Sequence, residues 1–153
     1  MKLSELLKPE CIISDLKAHD KKGALEELSQ IITEQEPTLN KGSLLQILLE
    51  RERLGSTGIG EGIALPHGKV EKLNRLMVSF GRSIEGLGFD SVDDQPAYLL
   101  FLLVAPENSA GVHLQALAKI SRILKDSNFR QRLMQAKSRE EIYQIIIDKD
   151  EEL

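Results

Sequence analysis

GSTGIGEGIALPHGK, residues 55–69, packs five glycines and one proline around a single histidine, His67, at the end of a short apolar run. The glycines permit turns that side-chained residues resist and allow a close backbone approach to a ligand. Pro66 fixes its own φ and biases Leu65 toward an extended conformation, so His67 is held on a stiff segment. An imidazole, with an ordinary pKa of about 6.5, keeps a usable nucleophilic nitrogen at neutral pH. A stiff histidine among glycines points to chemistry more than to packing.

Working outward, strands and helices intermix. Upstream, GSLLQILLERER (42–53) reads as a helix whose tail brings Arg51 and Arg53 close to the glycines. Before it, Asp20 can cap a helix over 21–34 with Ala24, Leu25, Leu28, Ile31 and Ile32 on one face. The run CIISDL from Cys11 reads as an edge strand. Residues 62–65 and 76–82 read as strands, and YLLFLLVAP as a strand buried on both faces. A long helix is predicted from Ser109–Gly111 to Lys125, with Leu114, Leu117, Ala118 and Ser121 toward the core. Helices near 127–136 and 138–148 follow, then an acidic tail. The pattern predicts an α/β fold: one domain over 1–153, its β-sheet flanked by helices on both faces. No internal repeat or low-complexity linker divides it.

The 153 residues carry a formal net charge of −4, which speaks against nucleic acid or an anionic membrane as partner. Cys11 is the only cysteine, so no internal disulfide can form. The opening MKLSELLKPE lacks the apolar stretch of a signal peptide, and no run approaches the ~20 apolar residues of a membrane span. A cytoplasmic protein is expected.

His113 stands at the start of the long helix, after the buried strand. Free N–H groups there favour an anion and disfavour imidazolium. His67 and His113 both follow strands, so a sheet could bring them together. Arg51 adds a permanently charged guanidinium that forks onto phosphate oxygens, and Ser56 and Thr57 could donate hydroxyls. Plain alternatives stand beside these: a glycine-rich turn can be a simple connection, His113 a helix-end residue, and Arg51, Arg53, Glu50 and Glu52 solvated helix charges. His19 reads as an exposed turn residue.

Other chemistries lack their signatures. GIALPHGKV has the wrong spacing for a Walker loop, GIGEG lacks the last glycine of a dinucleotide fingerprint, and no GxSxG occurs. A metal would need His67, His113 and a carboxylate such as Glu61, without HExxH or CxxC spacing, and a Cys11–His dyad is weaker still. No metal and no cofactor are expected.

The signature GSTGIGEGIALPHGK resembles the phosphorylation site of the IIA proteins of the bacterial phosphotransferase system, in the mannitol/fructose class, and most of all the nitrogen-regulatory IIA proteins. The LxxLLxPE opening, RERLGSTGIG, QPAYLLFLLVAP and HLQALAKISRIL extend the resemblance over nearly the whole chain. It implies the mannitol-type IIA fold, a mixed β-sheet flanked by helices. It makes His67 the phosphoryl acceptor at Nε2, His113 the second histidine holding the group, and Arg51 its supporting arginine. It implies a histidine carrier of the HPr type as donor. It also implies either regulatory targets such as potassium transporters or sensor kinases, or a sugar IIB domain. Glu61 departs from a position where a neutral residue such as Asn is common, and Leu65 replaces isoleucine. With no IIB or IIC sequence in the chain, a free-standing regulator is expected over a stand-alone fructose/mannitol-type subunit.

Overall fold

The computed structural model describes all 153 residues. A short helix α1 (Leu3–Leu6) runs into β1 (Leu7–Ile13), followed by α2 (Lys21–Gln35) and α3 (Lys41–Arg53). Four strands come next: β2 (Gly58–Gly60), β3 (Ile63–Ala64), β4 (His67–Val70) and β5 (Met77–Leu87). β6 (Ala97–Pro106), α4 (Ala110–Leu124), α5 (Ser127–Gln135) and α6 (Arg139–Glu151) complete the chain. The sheet order is β1-β5-β6-β3-β2, with β4 also paired to β6. The sheet is mixed: β1 is parallel to β5, β5 antiparallel to β6, and β3 and β4 both parallel to β6.

β6 organises the core because it is apolar on both faces. Leu99, Phe101, Leu103 and Ala105 point into one cluster with residues of α1, α4, α5 and α6. The alternate residues Leu100, Leu102 and Val104 point into a second cluster with α2 and α3. Side chains of a strand alternate between faces, so a strand apolar at every position needs helices on both sides. Phe80 and Phe101 pack with centroids 4.8 Å apart in the first of these clusters. The expected architecture is present: an α/β sheet with helices on both faces.

The caps follow local chemistry. The side chains of Asp20, Asn40, Asp126 and Ser138 accept from backbone N–H groups in the first turns of α2, α3, α5 and α6. Pro66 decides a less obvious boundary. Lacking an N–H, it interrupts the ladder along one edge of β6, so β3 pairs at Leu99–Leu100 and β4 resumes at Leu103. The Pro66 carbonyl still accepts from Leu103 N at 3.0 Å. His67 is therefore the first residue of a strand, where the sequence placed it after one.

Two other expectations change. On α4 the buried residues are His113, Ala116, Ile120, Ile123 and Leu124. Of the expected set Leu117 does pack against the core, half-buried, whereas Leu114 and Ala118 are exposed and Ser121 is only half-buried. Leu114 is 66% exposed. The first half of α4 is apolar almost all round, so periodicity there cannot choose a face; the block Ile120, Ile123, Leu124 sets the rotation. At the C-terminus α6 runs through Glu151, past the expected 148, and Asp150 is buried. Its carboxylate accepts from Leu3 N at 2.8 Å and pairs with Lys119 at 2.7 Å, which anchors both chain ends.

Candidate active site

A cleft of about 630 Å³ opens where the C-terminal half of α3 and the start of α4 meet across β4. Ile47, Glu50, Arg51 and Leu54 line it from the α3 side, His67, Gly68 and Lys69 from β4, and Ala110, His113 and Leu114 from α4. The three residues singled out from sequence thus share one cleft. His67 and Lys69 are two apart on a strand and project on the same side, while Gly68 faces α3. Lys69 was missed in the sequence reading; that two-residue spacing after a proline-started strand was the available signal.

His67 is half-buried, and its Nδ1 lies 2.9 Å from the Leu65 carbonyl oxygen. A carbonyl only accepts, so Nδ1 carries the proton and donates, and in the neutral ring Nε2 keeps the lone pair. The stiffness of Leu65–Pro66 therefore has a chemical result: it selects one tautomer. The His113 ring stands edge-on to His67, with centroids 5.3 Å apart and planes at 68°. His113 is 5% exposed, and its Nδ1 is a buried polar atom with no hydrogen-bond partner in the protein. Burial first, then the electrostatic influence of the neighbouring His67 and Lys69 side chains, holds the pKa of His113 below its ordinary value. It stays uncharged at neutral pH, as its place near the start of α4 suggested. Its own N–H is already paired, to Ser109 O at 2.9 Å, so the free N–H groups of this terminus belong to Ala110, Gly111 and Val112.

Arg51 occupies the last turn of α3, where a cation suits the helix dipole. One arm, Nη1, donates to Gly55 O at 2.9 Å; no carboxylate pairs with the rest of the fork. A guanidinium, a lysine, an uncharged imidazole and an imidazole with an available Nε2 can together receive a phosphoryl group.

Several sequence expectations do not reach the cleft. Ser56 donates to Phe89 O at 2.6 Å, and Thr57 donates its hydroxyl to Glu52. Of the five glycines only Gly68 lines the site. Gly60 and Gly62, with φ of +96° and +79°, instead shape the β2–β3 hairpin. Glu52, expected as a solvated charge, is 8% exposed and holds Thr57 and Lys21. Glu61 pairs with Arg130 at 2.9 Å, and no three His, Cys, Asp or Glu residues are grouped to hold a metal ion.

Residues 5–149 match the model of the family "Phosphoenolpyruvate-dependent sugar phosphotransferase system, EIIA 2". A nitrogen regulatory protein of Bradyrhizobium diazoefficiens is 39% identical over 146 residues, covering 95% of each chain. The crystal structure of the nitrogen regulatory protein IIA-Ntr from Neisseria meningitidis superposes with a TM-score of 0.88 at 35% identity, covering 94% of this chain and 98% of that one. The mannitol enzyme IIA of Escherichia coli, solved in complex with phosphorylated mannitol enzyme IIB, superposes with a TM-score of 0.75 at 28% identity, covering 92% and 98%. The chain belongs to the EIIA 2 family and is a phosphotransferase-system component. No helix is long and apolar enough to cross a membrane.

Proposed function

We propose that His67 accepts a phosphoryl group at Nε2 from the phosphohistidine of an HPr-type carrier, and that the chain works as a regulatory, nitrogen-branch IIA protein. The observation that carries this reading is the 2.9 Å approach of His67 Nδ1 to Leu65 O, which leaves Nε2 as the nucleophilic nitrogen beside Arg51 and His113. In the transfer the Nε2 lone pair forms an N–P bond as the carrier's N–P bond breaks, and that electron pair returns to the carrier's imidazole. The His67 ring gains positive character, which strengthens the Nδ1–H bond to Leu65 O. Arg51 and the uncharged His113 hold the phosphoryl oxygens, so catalysis is mainly positioning and charge balance.

Phosphoenolpyruvate carrying 32P, with Enzyme I and an HPr-type carrier, tests the reading. An acid-labile label is expected, absent in His67→Ala and acquired more slowly in Arg51→Ala and His113→Ala. A label that survives in His67→Ala refutes the assignment. Likeness to nitrogen regulatory proteins favours the regulatory role. Potassium transporters or sensor kinases are the kind of target we propose for it. The second reading, a stand-alone fructose- or mannitol-type IIA subunit passing the group to a IIB domain, is favoured by the likeness to mannitol enzyme IIA. Capture of partners on unmodified and phosphorylated protein separates the two: the sugar reading requires label to leave for a IIB domain.

A further inference from the structure

We infer that Glu52 is the positioning residue that sets Arg51 and His67 in register, an inference that rests on the reading of His67 as the phosphoryl acceptor. Glu52 is in the last turn of α3, where the helix dipole disfavours an anion, and its side chain is 4% exposed. Both features cost free energy, so its own helix does not account for a carboxylate there. Its partners lie outside α3 instead. Oε1 accepts from Thr57 N at 3.1 Å and from Lys21 Nζ at 3.0 Å, and Oε2 accepts the Thr57 hydroxyl in a short bond. Lys21 is itself held, pairing with Asp90 at 3.2 Å and lying 4.9 Å from the centre of the Phe89 ring.

From Thr57 the hydrogen bonds continue to the proposed nucleophile. The Thr57 carbonyl accepts from Leu65 N at 3.0 Å, and the Leu65 carbonyl accepts from His67 Nδ1 at 2.9 Å. In the other direction, Gly55 N donates to the Glu52 carbonyl at 3.1 Å, and Gly55 O holds Arg51 Nη1 at 2.9 Å. Arg51 and His67 lie on different elements, α3 and β4. Between them the Glu52 carboxylate is the side chain that bonds the tail of α3 to the segment on which Leu65 is hung. Removing it frees Thr57, loosens the Leu65 peptide and releases His67 from its single tautomer.

The test uses nitrogen-15 NMR of the His67 ring together with the kinetics of label uptake from the phosphorylated carrier. In Glu52→Ala, His67 is expected to become a mixture of tautomers. The kcat for uptake should fall roughly ten- to hundredfold with KM for the carrier little changed. Glu52→Gln keeps an oxygen for Thr57 N and should lie between. If Glu52→Ala does not fold, Thr57→Val removes only the hydroxyl donor and should shift both readouts the same way by less. A variant that melts earlier but keeps the wild-type tautomer and kcat overturns the inference, leaving Glu52 only structural. The tautomer comparison stands even if wild-type protein takes up no label, in which case the acceptor assignment fails separately.

Discussion

Replacing Gly68 with alanine puts one methyl group between the proposed nucleophile's strand and the helix that carries its arginine. A Cβ at Gly68 would lie 3.0 Å from Ile47 Cγ2 and 3.3 Å from Leu48 Cδ2. Two effects oppose each other. Alanine restricts the unfolded chain, which stabilises by about 0.4–1 kcal/mol where the native backbone suits it. Overpacking a filled contact costs about 1–3 kcal/mol. Leu48 is 1% exposed and has no room to withdraw, whereas Ile47 is half-buried and can swing partly aside. Overpacking should therefore win with a net loss of about 1 kcal/mol, seen as a fall in melting temperature of roughly 2–4 °C. Ile47→Ala removes the closer methyl, so the double variant should recover about 0.5–1 kcal/mol relative to the sum of the singles. Urea unfolding of the four proteins at constant m-value measures this cycle. Arg51 lies one turn beyond Ile47 and Leu48, so phosphoryl uptake should slow severalfold in Gly68→Ala and recover in the double variant. A Gly68→Ala protein as stable as wild type, or two substitutions that simply add, refutes the packing reasoning.

Three further outcomes are expected. His113 is held below its ordinary pKa of 6.5, so the unfolded chain binds its proton first. Its contribution to stability is complete above that pH and is lost as pH falls through the folded value. Urea midpoints measured from about pH 8 to pH 5 should drop less steeply in His113→Gln than in wild type, and identical slopes would contradict the shift. Asp150→Asn weakens the anchor on Leu3 and Lys119, costing about 1–3 kcal/mol and speeding amide exchange in α1; unchanged exchange at Leu3 counts against the anchor. Phe80→Ala empties a fully buried site against Phe101 and should cost about 3–5 kcal/mol by denaturant unfolding, with a loss under about 1 kcal/mol contradicting the packing.

The sheet and its helices were legible because their signals are local. β6 is a run of large apolar residues, and its alternation between two clusters follows from strand geometry. Asp20 caps α2 as its residue type and position suggested. What stayed hidden depends on contacts distant in sequence. Nothing within GSLLQILLERER marks Glu52 as buried, because its cation is Lys21, thirty-one positions away. Likewise, Ser56 and Thr57 carry hydroxyls suited to a phosphate, yet their acceptors are Phe89 and Glu52. On α4 the helical period was right and the face was rotated, with Leu117 still on the core but Leu114 turned out, since two apolar stripes compete and only the packing of Ile120, Ile123 and Leu124 chooses between them. His67, His113 and Arg51 could be named from residue type and motif; that they line one cleft required the β4–β6 pairing and the reach of α4 over it.

The misread stripe bears on how the site could work. Leu114, turned outward at 66% exposure, and Leu54, at 86%, line the same cleft as His67, so a partner that buried both would cover it. The fixed charges in that cleft are Arg51, Lys69 and Glu50, one more positive than negative. A phosphoryl group adds about 1.5–2 negative charges and inverts the sign. On the proposed reading the apolar flanks would not change with phosphorylation and would supply burial for a partner, whereas the sign of the field between them would change and supply the discrimination. One surface can then serve a donor that meets the bare histidine and a target that meets the phosphorylated one. Charge alone would do this on the proposed reading, without a change of fold. The consequence is measurable in Lys69→Gln, which should shift affinity in opposite directions for a partner of the unmodified protein and a partner of the phosphorylated one. Equal shifts in the same direction would show that Lys69 contributes packing and not charge selection.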